Sequence, residues 1–339
     1  MRRALIALGV LLVAVAGFAL YLQHEWHSTG SAADGGIVEI PRGLRTREIV
    51  GLLHEKKVIR NSYSALAYVF YSGARHRLQA GEYLFDQPLT IPEVIAKLTN
   101  GTVVLHKLTV PEGFTTEAIA HKWQDDGLGS ADDFMKAASG AMDLVQRFDQ
   151  HAVSVEGYLF PETYSFRKHT TARQAIEAMV GRFQQVAGKL QQVMPVDKWP
   201  LNLHDTVILA SLVETEAAQA DERPLVASVY MNRLNRHILL QCDPTVIYAL
   251  ERADEYRGTL TQADLRFKSP YNTYMEPGLP PGPIANPGYS SLLAAVQPAT
   301  TNYIFFVRTV ESRHTFSDNL TAHKRAVDAY RKLLKKKAS

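Results

Sequence analysis

Two glutamates lie inside an otherwise apolar run and could take part in proton transfer. They are Glu214 and Glu216 in LASLVETEA, residues 209–217. Desolvation raises the pKa of a buried carboxyl until it can donate a proton near neutral pH. The two side chains leave a helix on nearly opposite faces, so at least one should face an apolar environment and could act as a general acid. The alternative is that both lie exposed near the helix C-terminus or pair with arginines such as Arg223 or Arg233.

The elements that must position these carboxylates are predicted to be mostly helical beyond residue 130. The run from Asp205 through Glu216 is apolar almost all round, which predicts a helix enclosed by its own domain. Residues 302–309 predict a strand, so the pattern indicates a helix-rich α+β domain. An amphipathic helix is predicted over 171–194, with core positions Ile176, Met179, Val180, Phe183, Val186 and Leu190. The last helix is predicted to turn inward Ala326, Ala329, Tyr330 and Leu333.

An internal similarity marks the part of the chain that precedes this domain. VEIPRGLRTREIVGLLHEKKVI, residues 38–59, aligns without gaps to LTVPEGFTTEAIAHKWQDDGLG, residues 108–129. Each copy predicts a short strand, a Pro-x-Gly turn bearing a threonine, and then a helix. Between them, residues 90–101 predict a helix that opens with a capping box of Thr90 and Glu93. We therefore expect a small α+β module before the larger domain.

The N-terminus predicts a membrane anchor. Two arginines precede an uncharged apolar run from Ala4 to Leu22, which is about the length that crosses the hydrocarbon core as a helix. The positive-inside rule then keeps residues 1–3 in the cytoplasm and exports the rest of the chain. The alternative is a cleaved signal peptide, but the apolar run continues past the small residues at 14–17. Residues 23–36 are predicted to form a flexible tether.

Composition and charge argue against several classes of protein. Of the 339 residues, 46% are hydrophobic, so the chain can bury a core and is not a disordered protein. Lys and Arg number 37 against 34 Asp and Glu, and this near balance gives no strong field for nucleic acid. The single cysteine, Cys242, cannot form an intramolecular disulfide, and no His/Cys spacing resembles a zinc site. We expect neither a metal nor a nucleic-acid partner.

Three loop-rich stretches could form the walls of a cleft around the glutamates. Their Pro, Gly, Tyr, Asn and Thr residues give rigid loops with hydrogen-bonding and stacking groups. Each also has a structural explanation. Asp243 before Pro244 is a good N-cap, Glu156 and Glu162 can be ordinary surface acids, and GLPPGP can be a polyproline linker. The stretches are VEGYLFPETYSF (155–166), LQCDPTVIYAL (240–250) and SPYNTYMEPGLPPGPIANPG (269–288).

Taken together and in order, the motifs of this chain resemble the bacterial endolytic murein transglycosylase family. The single N-terminal anchor matches as well, so the resemblance covers nearly the whole chain. It implies an inner-membrane lytic transglycosylase with a LysM-like module at 37–107 and a periplasmic catalytic domain at 108–339. Peptidoglycan is then the expected substrate, and peptidoglycan synthases are the expected protein partners. The matching motifs are EGYLFPETY, ASLVETEA, ASVYMNRL, LQCDPTVIY, YNTYMEPGLPPGPIANPG and HTFSDNLTAH.

The resemblance also implies which residues act. The first glutamate of the family's motif matches Glu214, which would protonate the oxygen leaving from MurNAc C1 and then accept the proton of the C6 hydroxyl, giving a 1,6-anhydro end. Glu216 matches the second glutamate and is expected to be supporting or structural. No metal or organic cofactor is required. The expected supporting or substrate-binding residues are Glu216, Glu156, Tyr158, Glu162, Asp243, Thr245, Tyr271, Asn272, Thr273 and Tyr274.

Two other classes of protein stay open from the sequence. A hydrolytic muramidase needs a second carboxylate across the cleft, and the candidates are Glu216, Glu162 and Asp243. A non-catalytic peptidoglycan-binding protein would also carry an anchor and a LysM-like module. It would not need an apolar helix interrupted by Glu214, and the masses of the products separate all three classes.

Overall fold

The structure is a computed structural model that describes residues 2–31, 36–309 and 313–338, with side chains as far as residue 334. The chain divides into two compact units. The first comprises Met1–His106 together with Ser165–His169, and the second comprises Lys107–Tyr164 and Thr170–Ser339. Helices and short strands occur in both units, so the predicted mixed, helix-rich α+β class is confirmed.

The first unit begins with the apolar helix α1 and continues as a small α+β fold. Its two strands pair antiparallel, with Ile37 opposite Leu84 and Ile40 opposite Gly81. The hydrophobic core between sheet and helices includes Val50, Leu53, Val69, Tyr83 and Leu98. Its elements are α1 (Arg2–His27), β1 (Ile37–Ile40), α2 (Thr46–Glu55), α3 (Ser62–Tyr71), β2 (Gly81–Leu84) and α4 (Ile91–Asn100).

Helix α4 begins and ends where its sequence signals predict. The Thr90 backbone N–H donates to Glu93 Oε2 at 2.7 Å, so the predicted capping box is formed. The helix ends at Gly101, whose φ of +66° is a left-handed conformation that glycine adopts without strain. These local signals are confirmed because both depend only on neighbouring residues.

The N-terminal helix runs further than the apolar segment predicts. Helix α1 extends to His27 and has the length and composition of a membrane span. After it, the backbone N–H groups of Gly30 and Ser31 donate to Leu89 O and Lys57 O, each at 3.0 Å. The first part of the segment predicted as a flexible tether is therefore helical or hydrogen-bonded to the first unit. Residues 32–35 of that segment lie outside the described residues.

The remaining elements belong to the second unit, except that the first residue of β3 and the last two residues of β4 are assigned to the first unit, and most of these elements are helices. They are β3 (His106–Thr109), α5 (Thr116–Asp125), α6 (Ala131–Ser139), α7 (Met142–Gln146), β4 (Thr163–Phe166), α8 (Ala172–Val193), α9 (Leu203–Glu216), α10 (Arg223–Asn235), α11 (Asp243–Glu251), α12 (Tyr289–Val296), β5 (Phe305–Arg308), β6 (His314–Ser317) and α13 (Leu320–Ala338). Strand β3 pairs with β4, and β5 pairs antiparallel with β6.

The internal similarity corresponds to two strand–turn–helix units of the same kind. The pairs β1–α2 and β3–α5 both follow the predicted order. Their turns contain Gly43 and Gly113, with φ values of +87° and +80° that favour glycine. Thr46 and Thr116 are the first residues of the two helices.

Helix α9, which bears both glutamates, is enclosed by its own unit as predicted. Its residues from Thr206 to Val213 are all buried, and α12 is the helix that packs most extensively against it. The helix begins at an Asn202 cap, whose side chain accepts from the Asp205 N–H at 2.9 Å. The six predicted core positions of α8 are also buried.

Two expectations for the C-terminal region need correction. The sequence predicts one strand in this region, at residues 302–309, but residues 314–317 form a second strand, β6, in which Phe316 lies opposite Phe306. The predicted inner face of α13 is only partly right, because Ala326 and Tyr330 are half-buried but Ala329 and Leu333 are exposed. The helix packs on the β5–β6 hairpin, with the His323 ring stacked 4.8 Å from Phe305, and this contact selects a different face. The half-buried positions are Ala322, His323, Ala326, Val327 and Tyr330.

Candidate active site

The last turn of α9 carries Glu214 on a closed side of the helix. Its Oε2 accepts the backbone N–H of Gly288 at 2.9 Å, and its Oε1 accepts from Arg223 Nη2 at 2.8 Å. The Glu214 side chain is 5% exposed, and Arg223 also reaches Glu112 Oε2 at 3.3 Å. Both oxygens of Glu214 are thus engaged within the protein. Glu214 therefore pairs with an arginine, which is one of the alternatives that the sequence left open for the two glutamates.

Opposing influences act on the proton affinity of Glu214. Burial raises the pKa of its carboxyl, while the Gly288 N–H and the positive charge of Arg223 lower it, and the net direction is upward. Two glycines, Gly113 and Gly288, lie close to this carboxyl. A Cβ at Gly288 would overlap the Glu112 carboxylate, and one at Gly113 would lie 3.7 Å from Glu214 Cγ. The two loops that contact Glu214 therefore do so through glycines, Gly113 in one loop and Gly288 in the other.

Glu216 lies on the other side of the helix, at the wall of a cavity of about 620 Å³. Its Oε1 is 3.4 Å from the Tyr230 hydroxyl and 3.6 Å from Cys242 Sγ. Burial raises the pKa of Glu216 to about 7, and the nearby negative charge of Asp243 adds to the increase. The contacts with Cys242 and Tyr230 and the positive charge of Arg308 oppose it. Among the residues that the structure describes, no lysine, arginine or histidine forms an ion pair with Glu216. Its environment therefore favours the protonated form.

The cavity at Glu216 combines polar and aromatic walls. The Tyr274 hydroxyl donates to Asp243 Oδ1, and both side chains line the cavity. The imidazole of His314 on β6 is oriented by Glu222, whose two oxygens accept the His314 N–H and Nδ1 at 3.0 and 2.8 Å. A carboxylate on Nδ1 fixes the ring and leaves Nε2 as its second polar group. Other lining residues are Thr215, Arg233, Leu240, Gln241, Phe305, Phe306, Val307, Arg308, Leu320 and His323.

Glu156 is not a surface acid but a buried structural centre beside a second cavity of about 350 Å³. Its oxygens accept the Thr116 N–H at 2.9 and 3.1 Å and the amide of Asn286 at 3.0 Å. Burial raises the pKa of Glu156 to about 7, and the Thr116 N–H opposes the increase. Tyr248 and Tyr271 pack together near this second cavity, with ring centroids 5.1 Å apart. These contacts hold the loop before α5 against the segment before α12.

The threonines and the asparagine of the predicted loops are buried and bonded within the protein. Thr273 Oγ1 accepts the Cys242 N–H at 2.9 Å and lies 2.9 Å from Thr245 Oγ1. The Asn272 amide donates to Leu265 O at 3.1 Å and Phe267 O at 2.8 Å. These side chains thus brace the loop that carries Tyr274 to the cavity at Glu216.

Tyr158 and Glu162 lie away from the cavity at Glu216. Tyr158 is fully buried, and its hydroxyl donates to Asp149. Glu162 is a partly exposed acid whose Oε2 accepts from Arg182 Nε at 2.5 Å. Of the residues expected from the sequence, the structure therefore brings Glu216, Asp243 and Tyr274 to one cavity and Glu156 to another.

Several residues of these sites were not identified from the sequence. Glu112, Glu222 and His314 were not singled out, although His314 belongs to the quoted HTFSDNLTAH motif. Their partners are far away in the chain, since 92 residues separate Glu222 from His314 and 111 separate Glu112 from Arg223. Among the described residues no group of three or more His, Cys, Asp or Glu could hold a metal ion.

Comparisons with known proteins agree with this fold and identify the family. The model of the YceG-like family matches residues 38–329, so the chain belongs to the YceG-like family. A Bacillus subtilis protein named endolytic murein transglycosylase is 33% identical over 86% of this chain and 84% of its own length. A Streptococcus pneumoniae protein of the same name is 27% identical over 86% of this chain, which spans only 57% of that longer protein.

A solved structure is also similar to this chain. The crystal structure of a yceG-like protein from Listeria monocytogenes matches with a TM-score of 0.59 and 31% sequence identity. The match covers 85% of this chain and 98% of that one. Because 85% of the chain is more than either unit alone contains, the match includes residues of both units.

Proposed function

We propose that this protein is a peptidoglycan transglycosylase that cuts glycan strands internally without using water. Membership of the YceG-like family and the names of the two relatives support the substrate and reaction class. Helix α1, with two arginines before its apolar run, supports a single-pass inner-membrane anchor with the second unit in the periplasm. The first unit, with a core of its own, is the proposed LysM-like module.

The observation that carries the proposal is the setting of Glu216. A proton donor must reach the substrate and must hold its proton near neutral pH. Glu216 lines a cavity of about 620 Å³ and has a pKa raised to about 7. Glu214 has both oxygens bound by Arg223 and Gly288. We therefore propose Glu216 as the general acid and Glu214 as a positioning residue. The family resemblance implies the opposite assignment, with Glu214 as the acid, and the two variants described below distinguish these assignments.

The proposed reaction needs one carboxyl group. Protonated Glu216 donates its proton to the glycosidic oxygen at MurNAc C1 as the C1–O bond breaks. The C6 hydroxyl of the same sugar then forms a bond to C1, and the Glu216 carboxylate accepts the proton of that hydroxyl. Because the nucleophile is already part of the sugar, no second carboxylate is needed to activate water. The products are a 1,6-anhydro end and a free hydroxyl, with Glu216 protonated again.

Other cavity residues have proposed roles in holding the sugar. Tyr274 offers an aromatic face for a sugar ring, and its hydroxyl is held by Asp243. Arg308 and Gln241 supply hydrogen-bond donors at the same wall. The chemistry requires neither a metal nor an organic cofactor. Peptidoglycan synthases remain the proposed protein partners, because an anchored enzyme cuts glycan close to the membrane where strands are made.

A second candidate function is a hydrolytic muramidase. One observation favours it, since Asp243 lines the same cavity as Glu216 and could act as the second carboxylate that a hydrolase needs. Glu162 does not line this cavity and is bound by Arg182. The mass of the product distinguishes the two reactions.

The test uses the purified full-length protein in detergent with isolated glycan strands. Mass spectrometry of the fragments should find reducing ends that lack one water relative to hydrolysed ends. Fragments with ordinary reducing ends would support the muramidase, and intact strands would support a binding protein. The Glu216→Gln protein should give no fragments, while Glu214→Gln should give the same anhydro fragments as the unchanged chain. If Glu214→Gln gave no fragments and Glu216→Gln gave anhydro fragments, Glu214 would be the general acid.

A further inference from the structure

Helix α3 of the first unit exposes aromatic side chains along one face and carries no charged residue. Tyr63, Phe70 and Tyr71 are 85%, 58% and 77% exposed. Tyr63 and Phe70 are two helical turns apart, so they share a face, and Tyr71 lies beside them. The opposite face is buried through Ala65 and Val69. A surface helix that is apolar on its outer face indicates an interaction surface.

The end of α1 is fixed to this same helix. Trp26 Nε1 donates to Ser64 O at 2.9 Å. The Trp26 ring stacks on Tyr71 at 5.2 Å and meets Tyr68 edge-on at 5.3 Å. The exposed face of α3 therefore continues directly from the C-terminal turn of α1.

The depth of Trp26 follows from helix geometry. The apolar run of α1 ends at Leu22, four residues before Trp26, and this spacing is about 6 Å along the helix axis. A residue that far beyond the apolar run of a membrane helix lies at the level of the lipid headgroups. Tryptophan and tyrosine are favoured at that level, and an apolar helix face can lie there about 5–10 Å into the headgroup and acyl boundary.

We propose that the aromatic face of α3, formed by Tyr63, Phe70 and Tyr71, lies in the interfacial layer of the bilayer that α1 spans. The partner of this surface is thus the lipid itself. Charge nearby fits anionic headgroups, because Arg60 is exposed just before α3 and the Arg75 guanidinium lies 5.3 Å from the Phe70 ring. The first unit is then held against the membrane by a second contact besides the anchor. This inference rests on the proposed anchoring but not on the proposed chemistry.

The test measures depth in the membrane with spin labels on the full-length chain. The background is Cys242→Ser, checked for folding by its thermal unfolding, and the chain is placed in nanodiscs of phosphatidylethanolamine and phosphatidylglycerol. Single cysteines replace Tyr63 or Tyr71, and the accessibility of each label to oxygen and to a water-soluble nickel chelate is compared. Val13→Cys marks the bilayer core, and Lys136→Cys, on the exposed side of α6, marks water.

Labels at 63 and 71 should read intermediate depths, with nickel accessibility several-fold below that at 136. Water-like values at both positions would overturn the proposal, and so would water-like values at position 13. If the labels had water-like accessibility and lay close to the same label on a second copy, the aromatic face would be a dimer interface and the proposal would be wrong. The Tyr63→Ser/Phe70→Ser chain should raise nickel accessibility at position 71, while Met275→Ser, an exposed apolar residue of the second unit, should not. No substrate is present, so this result is independent of the glycan-cutting assay.

Discussion

The two sides of α9 place two similar glutamates in opposite surroundings. On the closed side, Glu214 is bound by Arg223 and by the Gly288 N–H. On the open side, Glu216 has weak partners in Tyr230 and Cys242 and faces a cavity. A salt-bridged carboxylate holds loops together, whereas a desolvated carboxyl that forms no ion pair can hold and release a proton. The side chain types are identical, so the difference between them comes from their tertiary partners.

The strongest test of this comparison is to replace the carboxyl group of Glu216, on the open side, by a group that cannot donate a proton. Glu216→Gln keeps the shape of the side chain but cannot donate a proton. We expect the rate of glycan cleavage to fall by about 10²–10⁴-fold, the usual contribution of a general acid. The measurement is the initial rate of fragment release at saturating substrate. A rate within a few-fold of the unchanged chain would show that Glu216 is not the acid.

The matching change on the closed side, Glu214→Gln, should lower the stability of the fold. Glu214→Gln leaves Arg223 buried with only Glu112 as an ionic partner. Breaking one partner of a buried pair is strongly destabilising, so we expect a loss of about 3 kcal/mol in the free energy of unfolding. Denaturant unfolding of Glu214→Gln and of the unchanged chain measures this difference in the free energy of unfolding.

Glu112→Gln is the control for this effect. The Glu112 side chain is 47% exposed, so its contact with Arg223 should contribute less than about 1 kcal/mol. If Glu214→Gln proved as stable as Glu112→Gln and also lost its activity, the closed side would hold the acid and the comparison would be reversed.

A third prediction concerns the pH dependence of the open side. Glu216 must be protonated to act, so kcat/KM should fall as pH rises above about 7, the pKa to which burial raises Glu216. The negative charge of Asp243 contributes to that increase. Asp243→Asn keeps an acceptor for Tyr274 but removes the charge, so the alkaline limb of the profile should move to lower pH. An unchanged limb would mean that another group controls it.

The same pKa shift affects stability with a defined sign. The ordinary pKa of a glutamate carboxyl is 4.5, and folding raises that of Glu216 to about 7. The folded state therefore binds the proton more tightly, and the stability from Glu216 is lost as pH rises from about 4.5 to 7. Glu216→Gln should flatten this part of the stability profile, although the buried Glu156 contributes in the same direction.

The sequence predicts the elements of the site better than its partners. Helix α9, its buried character and the opposite directions of Glu214 and Glu216 follow from local periodicity. The choice between the two glutamates does not, because it depends on Gly288 and on Cys242, which are distant in the chain. Part of the inner face of α13 was mispredicted for a similar reason, since the contact of this helix with Phe305 is not visible in its own apolar pattern.

The smallest effect is expected for Glu162, which the sequence alone kept as a candidate second carboxylate. Its side chain is 43% exposed, and its ion pair with Arg182 faces solvent and is screened. Glu162→Gln should change the free energy of unfolding by less than about 1 kcal/mol and leave the rate and pH profile of cleavage unchanged. Parallel rate and unfolding measurements with Asp243→Asn check this. A shift of the alkaline limb by Glu162→Gln, and not by Asp243→Asn, would mean that the groups lining the cavity do not set the proton affinity of Glu216.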